Sequence, residues 1–384
     1  MTKLKGMTWN HERGVAPLIK ASETFEAKTG IKIEWDARSL SDFEIFPLEE
    51  LAEKYDFIMI DHPHIGIAHE KNLLVPLEAH LDAEVLEDHK QGTVGQSYMS
   101  YHWENHQYAI PLDAAAQVGA YRADLIEGKV PTTWSEVNEL AKSLKDGKKI
   151  AIPFVPVHAY SSFFTVCSQL SEKLFWSEGS DLDEEVGAAA LEILENIVAV
   201  ADKESINMDP INMLDRMGKD DDIVYSPLVY GYSNYAREGY LKNIVKFCDM
   251  PMSKDEPSGS MIGGVGLAIS TKCKYVDAAL KFMNMVITPE YQKTEFFNAG
   301  GQPGHIEAWK DEAVNEGSNG FFIETLRTLE CGSMRPRFSG YIDFQFEAGT
   351  RIREVVSKGT ADKKAFVREL NALIRTCREN GGLK

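Results

Sequence analysis

Tyr55-Asp56-Phe57-Ile58-Met59-Ile60-Asp61-His62-Pro63-His64-Ile65-Gly66 is the stretch whose reading decides the fold. The uninterrupted apolar run Phe57 to Ile60 fits a strand buried on both faces, as in a parallel sheet covered by helices. It ends on a carboxylate, two imidazoles and a proline. In open α/β sheets ligands gather outside the carboxyl ends of such strands, so Asp61, His62 and His64 are candidate site residues. Three chemistries stay open for them. They can contact a polar ligand, they can join Asp61 or His11 around a metal through their i, i+2 spacing on extended chain, or His62 can simply pack beside Pro63.

Working outward, Lys3 to Trp9 reads as a strand, Asn10 to Gly14 as a turn, and Leu18 to Lys28 as a helix opened by Pro17. Thr29-Gly30 ends that helix before a strand from Ile31 to Trp35, and Asp42 to Lys54 reads as a second helix. The first 66 residues are therefore β-α-β-α-β, the order that builds a parallel sheet. Further on, the pattern predicts a strand ending at Asp113 and a helix from Thr133 through Lys145, with Glu136 as capping-box partner. Strands are expected over Ile150 to Val155, Ile223 to Tyr230 and Ile262 to Ile269. Helices are expected over Ala159 to Leu170, within Leu182 to Lys203, from Tyr275 and Pro289, and through most of the chain after His305.

Length and composition set the frame. A chain of 384 residues is long enough for two domains. Its 41 Lys plus Arg against 59 Asp plus Glu give a net charge of −18, which argues against a partner built on phosphate, such as nucleic acid. No apolar run reaches the roughly 18 to 20 residues of a membrane-spanning helix, so direct membrane insertion is not expected. The five cysteines are scattered without metal-site spacing and read as small buried hydrophobes, and no cofactor motif is present. The N-terminal residues lack the charged and apolar segments of a leader. The expectation is a periplasmic or extracellular site if a leader was removed, and a cytoplasmic one if Met1 is the native start.

Several segments, taken in order, resemble the family 1 extracellular solute-binding proteins of ABC transporters, the maltodextrin-binding type. Phe25-Glu26-Ala27-Lys28-Thr29-Gly30-Ile31 is similar to the family's helix-to-strand signature. Tyr55-Asp56-Phe57-Ile58, Asn72-Leu73-Leu74-Val75-Pro76-Leu77, Gln107-Tyr108-Ala109-Ile110-Pro111 and Tyr121-Arg122-Ala123-Asp124-Leu125 resemble its following motifs. So do Pro131-Thr132-Thr133-Trp134-Ser135-Glu136-Val137, the Gly-rich strand Gly263 to Ile269, and Ala278-Ala279-Leu280-Lys281-Phe282. The resemblance implies an α/β, two-lobed periplasmic-binding-protein type II fold with a hinged cleft. Residues 1–110 and 259–304 would form the first lobe, and 111–258 and 305–384 the second. It further implies reversible capture of a small polar molecule, a sugar or sugar derivative, for delivery to ABC transporter membrane subunits.

On this reading Trp9, Asn10 and His11 form part of a ligand floor, the alternative being a core tryptophan and a solvated turn. Asp61, His62 and His64 lie beside them. Asp113 sits at the first crossing between lobes, where it binds ligand or satisfies local backbone donors, with Gln117 a weaker candidate. His158 and Tyr160 precede Ser161 and Ser162 at a helix start, which can face a polar ligand or serve only as a cap. Tyr230 and Tyr232, in a run with Tyr225 and Tyr235, suit stacking on sugar rings or lobe packing. Arg337, near Arg335, can clamp an anionic ligand group or form a surface ion pair. A different class of function stays open: a leaderless cytoplasmic enzyme or sensor of the same fold using Asp61, His62, His64 and His11. Eight of the ten histidines precede residue 107, an excess the resemblance does not explain.

Overall fold

The computed structural model describes residues 2–45, 47–177, 179–359 and 362–383. Met1 and Phe46, which fall in stretches read above, lie outside them. Eight strands carry the architecture: β1 Lys3–Trp9, β2 Lys32–Arg38, β3 Phe57–Ile60, β4 Ala109–Tyr121, β5 Lys149–Ile150, β6 Ile223–Tyr230, β7 Lys246–Cys248 and β8 Ile262–Ile269. The chain divides into two compact units. Unit 1 comprises Met1–Ala115, Gly263–Val314 and Arg337–Ser339, and unit 2 comprises Ala116–Ile262, Asn315–Pro336 and Gly340–Lys384.

These boundaries differ from the expected ones because contacts override segment order. Asp113 is held by Arg13 and bridges to Pro303, while Gly304 N–H donates to the Leu112 carbonyl and Trp309 Nε1 to that of Pro303. Residues 111–115 and 305–314 therefore fold with unit 1.

In unit 1 the strands run β2-β1-β3-β8-β4. β1 pairs parallel with β2 and β3, and β8 pairs antiparallel with β3. Phe57 and Ile58 are wholly enclosed, as a four-residue apolar strand without alternation requires. Phe57 stacks on Trp35 at 5.8 Å and meets Phe282 of the helix Val276–Val286 at 5.3 Å. Burying one such ring contributes about 1.5–3 kcal/mol. Gly66 is required by space, since a Cβ there would sit 1.9 Å from the Arg337 carbonyl oxygen.

In unit 2 the C-terminal half of β4 pairs antiparallel with β6 and with β7, and β5 lies parallel to β6. An aromatic core of Tyr160, Phe163, Trp176, Tyr341 and Phe344 joins the helices Pro156–Leu170 and Tyr341–Lys358. The capping box holds as read: Thr133 accepts from Glu136 N–H, and the Glu136 carboxylate accepts from Thr133 N–H.

Several elements depart from expectation: the strand expected to end at Asp113 runs on to Tyr121, and the one expected to end at Trp35 runs on to Arg38. The first helix starts at Glu12 rather than after Pro17, because the His11 ring accepts the Arg13 N–H at 3.1 Å and caps it. The helix expected over Asp42 to Lys54 is two, Leu40–Ile45 and Leu48–Lys54, as Pro47 cannot donate a helical hydrogen bond. The strand expected over Ile150 to Val155 stops at Ile150. Beyond it Ile152 N–H bonds the Ser205 hydroxyl, Pro153 has no N–H, and Phe154 N–H bonds the Met208 carbonyl. Among the described residues no helix is long and apolar enough to cross a membrane.

Candidate functional site

Unit 1 gathers the candidates from the ends of β1 and β3. The register Met7↔Ile58, carried forward, sets Trp9 beside Ile60, so the loops after β1 and β3 emerge side by side. Trp9 is buried with its ring 5.7 Å from Phe43, and Gly14 lies flat against the indole. The indole Nε1 nevertheless has no hydrogen-bond partner in the protein. Asn10 is exposed and His11 half-buried.

After β3, Asp61 accepts the His62 N–H at 2.9 Å and caps the short turn His62–His64. Its side chain keeps some exposure while the His62 ring is wholly enclosed, edge-on to Tyr101 at 6.3 Å. His64 Nδ1 lies 3.2 Å from the Asp61 carbonyl oxygen. His62 is thus enclosed, while Asp61 is the partly exposed carboxylate of this loop. Among the described residues no three His, Cys, Asp or Glu side chains group as a cation site.

Two expected contacts turn out to hold unit 1 together. Asp113 is buried and bidentate to Arg13, with Arg13 Nε 2.6 Å from Oδ2 and Nη2 on Oδ1. Burial pushes the Asp113 carboxyl above its ordinary range, against the pull of the guanidinium. Arg337 donates to the carbonyls of Met99, Ser100 and His102 and lies over the Trp103 ring at 5.3 Å. Its desolvated guanidinium falls to about 10. A side chain tied to three main-chain carbonyls serves the fold of unit 1, and the expected clamp on an anionic ligand is corrected accordingly.

In unit 2, His158 lies in the first turn of the helix Pro156–Leu170, with its ring 6.0 Å from that of Tyr230 at the end of β6 and steeply inclined to it. The imidazole is buried beside Arg335, and both effects lower it to about 3, so it is neutral across the physiological range. Its Nδ1 has no partner in the protein. Gln117, opposite Tyr230 in the β4–β6 ladder, is fixed by Thr165, which donates at 2.7 Å, and by Ser162 at 3.3 Å. Tyr232 is buried against Tyr235, whose hydroxyl donates to Asp215. Tyr160 departs from expectation: fully enclosed, its hydroxyl bonded to that of Tyr341 at 2.6 Å, it is a core residue. Its position two residues after His158 could not reveal this in advance, because both residues fall within the same apolar run.

Three residues that sequence reasoning passed over support or flank these unit 1 loops, two of them, Arg13 and Tyr101, buried. Arg13 orders the β1 loop, Arg38 stands opposite Trp9 in the β1–β2 ladder, and Tyr101 donates to the Ile60 carbonyl at 3.1 Å behind Asp61. Only the β-strand register could have found Arg38.

The family model for the bacterial extracellular solute-binding protein matches residues 8–293. The chain belongs to this family. Solved structures of similar fold include an ABC transporter solute-binding protein of Agrobacterium radiobacter in complex with ribitol, 19% identical with a TM-score of 0.80 and 98% of each chain covered. Maltose-bound MalE3 of T. maritima is 17% identical with a TM-score of 0.84, over 98% of this chain and 100% of that one. A solute-binding protein of Thermotoga lettingae bound with α-D-tagatose is 15% identical with a TM-score of 0.82, over 97% of this chain and 100% of that one. They share the two-lobed solute-binding fold with this chain.

Proposed function

We propose that the protein reversibly captures a sugar or sugar derivative outside the cytoplasmic membrane and delivers it to the membrane subunits of an ABC-type importer. The observation that carries the reading is a pair of buried polar atoms without partners, Trp9 Nε1 in unit 1 and His158 Nδ1 in unit 2. Leaving such a group unsatisfied costs about 1–3 kcal/mol, which a ligand hydroxyl recovers. Each orphan sits with an aromatic neighbour, and the partly exposed Asp61 after β3 adds an acceptor in unit 1. Aromatic rings against C–H faces and fixed donors or acceptors for hydroxyls are what a polyhydroxylated ligand needs. The ligands of the three similar proteins above are a polyol, a monosaccharide and a disaccharide, which supports the same class. Calorimetric titration with polyols, monosaccharides, sugar acids and malto-oligosaccharides tests the proposal. At least one class should bind with a Kd in the micromolar range or tighter, and silence across all of them overturns it.

A further inference from the structure

Residues 303–307 tie three parts of unit 1 to one another, and the tie passes through an imidazole. The Gly304 N–H is shared between the Leu112 carbonyl of β4 at 3.1 Å and the Gln292 side-chain oxygen at 2.8 Å. The Gly304 carbonyl accepts the Val94 N–H at 3.0 Å. Gln292 opens a π-helical turn, Gln292–Phe296, a geometry frequent at functional sites. Next in the chain, His305 bridges to Thr93 and caps the helix Ile306–Lys310, its Nδ1 accepting the Glu307 N–H at 3.2 Å.

That cap assigns the ring its tautomer. A nitrogen that accepts a backbone N–H carries no proton, so the neutral ring holds its proton on Nε2. Nε2 is packed against Gly92, where a Cβ would come within 2.4 Å. A second proton has only Nδ1 to go to, where it would set N–H against N–H and cancel the cap. The surroundings oppose the charge as well. Half-buried His305 shares a small pocket, with room for about one water molecule, with His89 in the last turn of the helix Ala83–Gly92. Ile110, Pro111 and Ile287 bring no charge to its walls. The Glu307 carboxylate is already paired with Lys293 at 3.3 Å. Burial lowers both imidazoles. His305 adds to this at His89 against Asp88, and Lys293 adds to it at His305 against Glu307.

We propose that His305 is an acid-sensitive clasp in unit 1: its neutral ring holds the turn 303–307 closed, and protonation at Nδ1 releases that turn from Thr93, Val94 and Leu112. Pro303 bridges to Asp113, so the release begins beside the ion pair that orders the β1 loop. The clasp is complete above about pH 6.5, the ordinary histidine value, and weakens as the pH falls below it, because the open ring binds a proton that the closed one does not.

The test is an NMR titration of protein carrying ¹⁵N-labelled histidine rings, with His305→Asn to assign the signal. The His305 ring should show a bare Nδ1 and a protonated Nε2 at neutral pH, and a midpoint below the ordinary value. His89→Gln should raise that midpoint by removing the charge across the pocket. Hydrogen exchange at Val94, Gly304 and Glu307 supplies the second readout. Corrected for the intrinsic pH effect, protection in the parent should fall about three- to tenfold from pH 7.5 to pH 5.5, tenfold being the limit for one group. In His305→Asn, which keeps a capping oxygen but does not titrate, it should stay level. A proton on Nδ1 at neutral pH, a midpoint at or above the ordinary value, or an equal fall of protection in His305→Asn overturns the clasp. The parent titration decides tautomer and midpoint even where a variant folds poorly.

Discussion

The two candidate faces are built from opposite kinds of polar group. In unit 1 the β1 loop is ordered by a buried full-charge pair, Arg13 with Asp113, both side chains less than 5% exposed. In unit 2 the corresponding work falls to neutral groups: an imidazole that does not ionise, a tyrosine ring, and a glutamine held by two hydroxyls. A paired charge is rigid but cannot lose one partner cheaply, whereas an unpartnered neutral group can be removed without stranding anything. Substitution should therefore separate the two faces by an order of magnitude. Asp113→Ala leaves the Arg13 guanidinium buried without its carboxylate, and the expected cost is about 3–5 kcal/mol. Hydrogen exchange of the β1 and β4 amides should accelerate accordingly. His158→Leu should leave unit 2 at least as stable as before while weakening sugar binding about tenfold. Equal losses of stability in the two variants would erase the contrast.

Acid sharpens the same comparison with a smaller effect. The ordinary histidine value is 6.5, and folded His158 is held near 3, so between these pH values the unfolded chain binds a proton that the folded one does not. Stability from this group is complete above about pH 6.5 and falls as the pH drops toward 3. From pH 7 to pH 5 the loss is about 2 kcal/mol, confined to unit 2. Urea titrations at the two pH values, followed by hydrogen exchange in the helix Pro156–Leu170, should show it, and His158→Leu should remove it. An unchanged slope in the variant would assign the acid sensitivity to other groups.

How far these faces were legible depends on whether a residue's role is set locally. β1, β3, β6 and β8 match the sequence reading residue for residue, because continuous apolar runs bounded by polar or turn residues leave little choice. The capping box at Thr133 was equally local. Asp113 was visible as a carboxylate at a strand crossing, but its partner lies a hundred residues away. Nothing in periodicity announces that both its oxygens are engaged. Arg337 is the same case over a longer span: in an acidic chain it reads as an anion clamp until three carbonyls are found around it. Tyr160 and His158 lie in one apolar helix, and only packing against Trp176 and Phe344 separates a core ring from one near an orphaned imidazole. Chemical type was readable throughout, while engagement was readable only where partners were neighbours in sequence.

The subtlest test of the comparison lies at Trp9, which mixes both kinds of role in one side chain. Its ring is core, set against Phe43 and Gly14, whereas its N–H has no partner in the protein. Trp9→Phe keeps an aromatic ring in that place and deletes the donor. The smaller ring should cost unit 1 only about 1 kcal/mol of stability. If the N–H serves a ligand hydroxyl, sugar affinity should fall about five- to tenfold, the worth of one hydrogen bond. Calorimetry on the parent and the variant with the same sugar measures that ratio directly. Unchanged affinity would mean that the indole acts there as an aromatic surface alone, and that unit 1 contributes its polar contacts through Asp61 and the exposed loop instead.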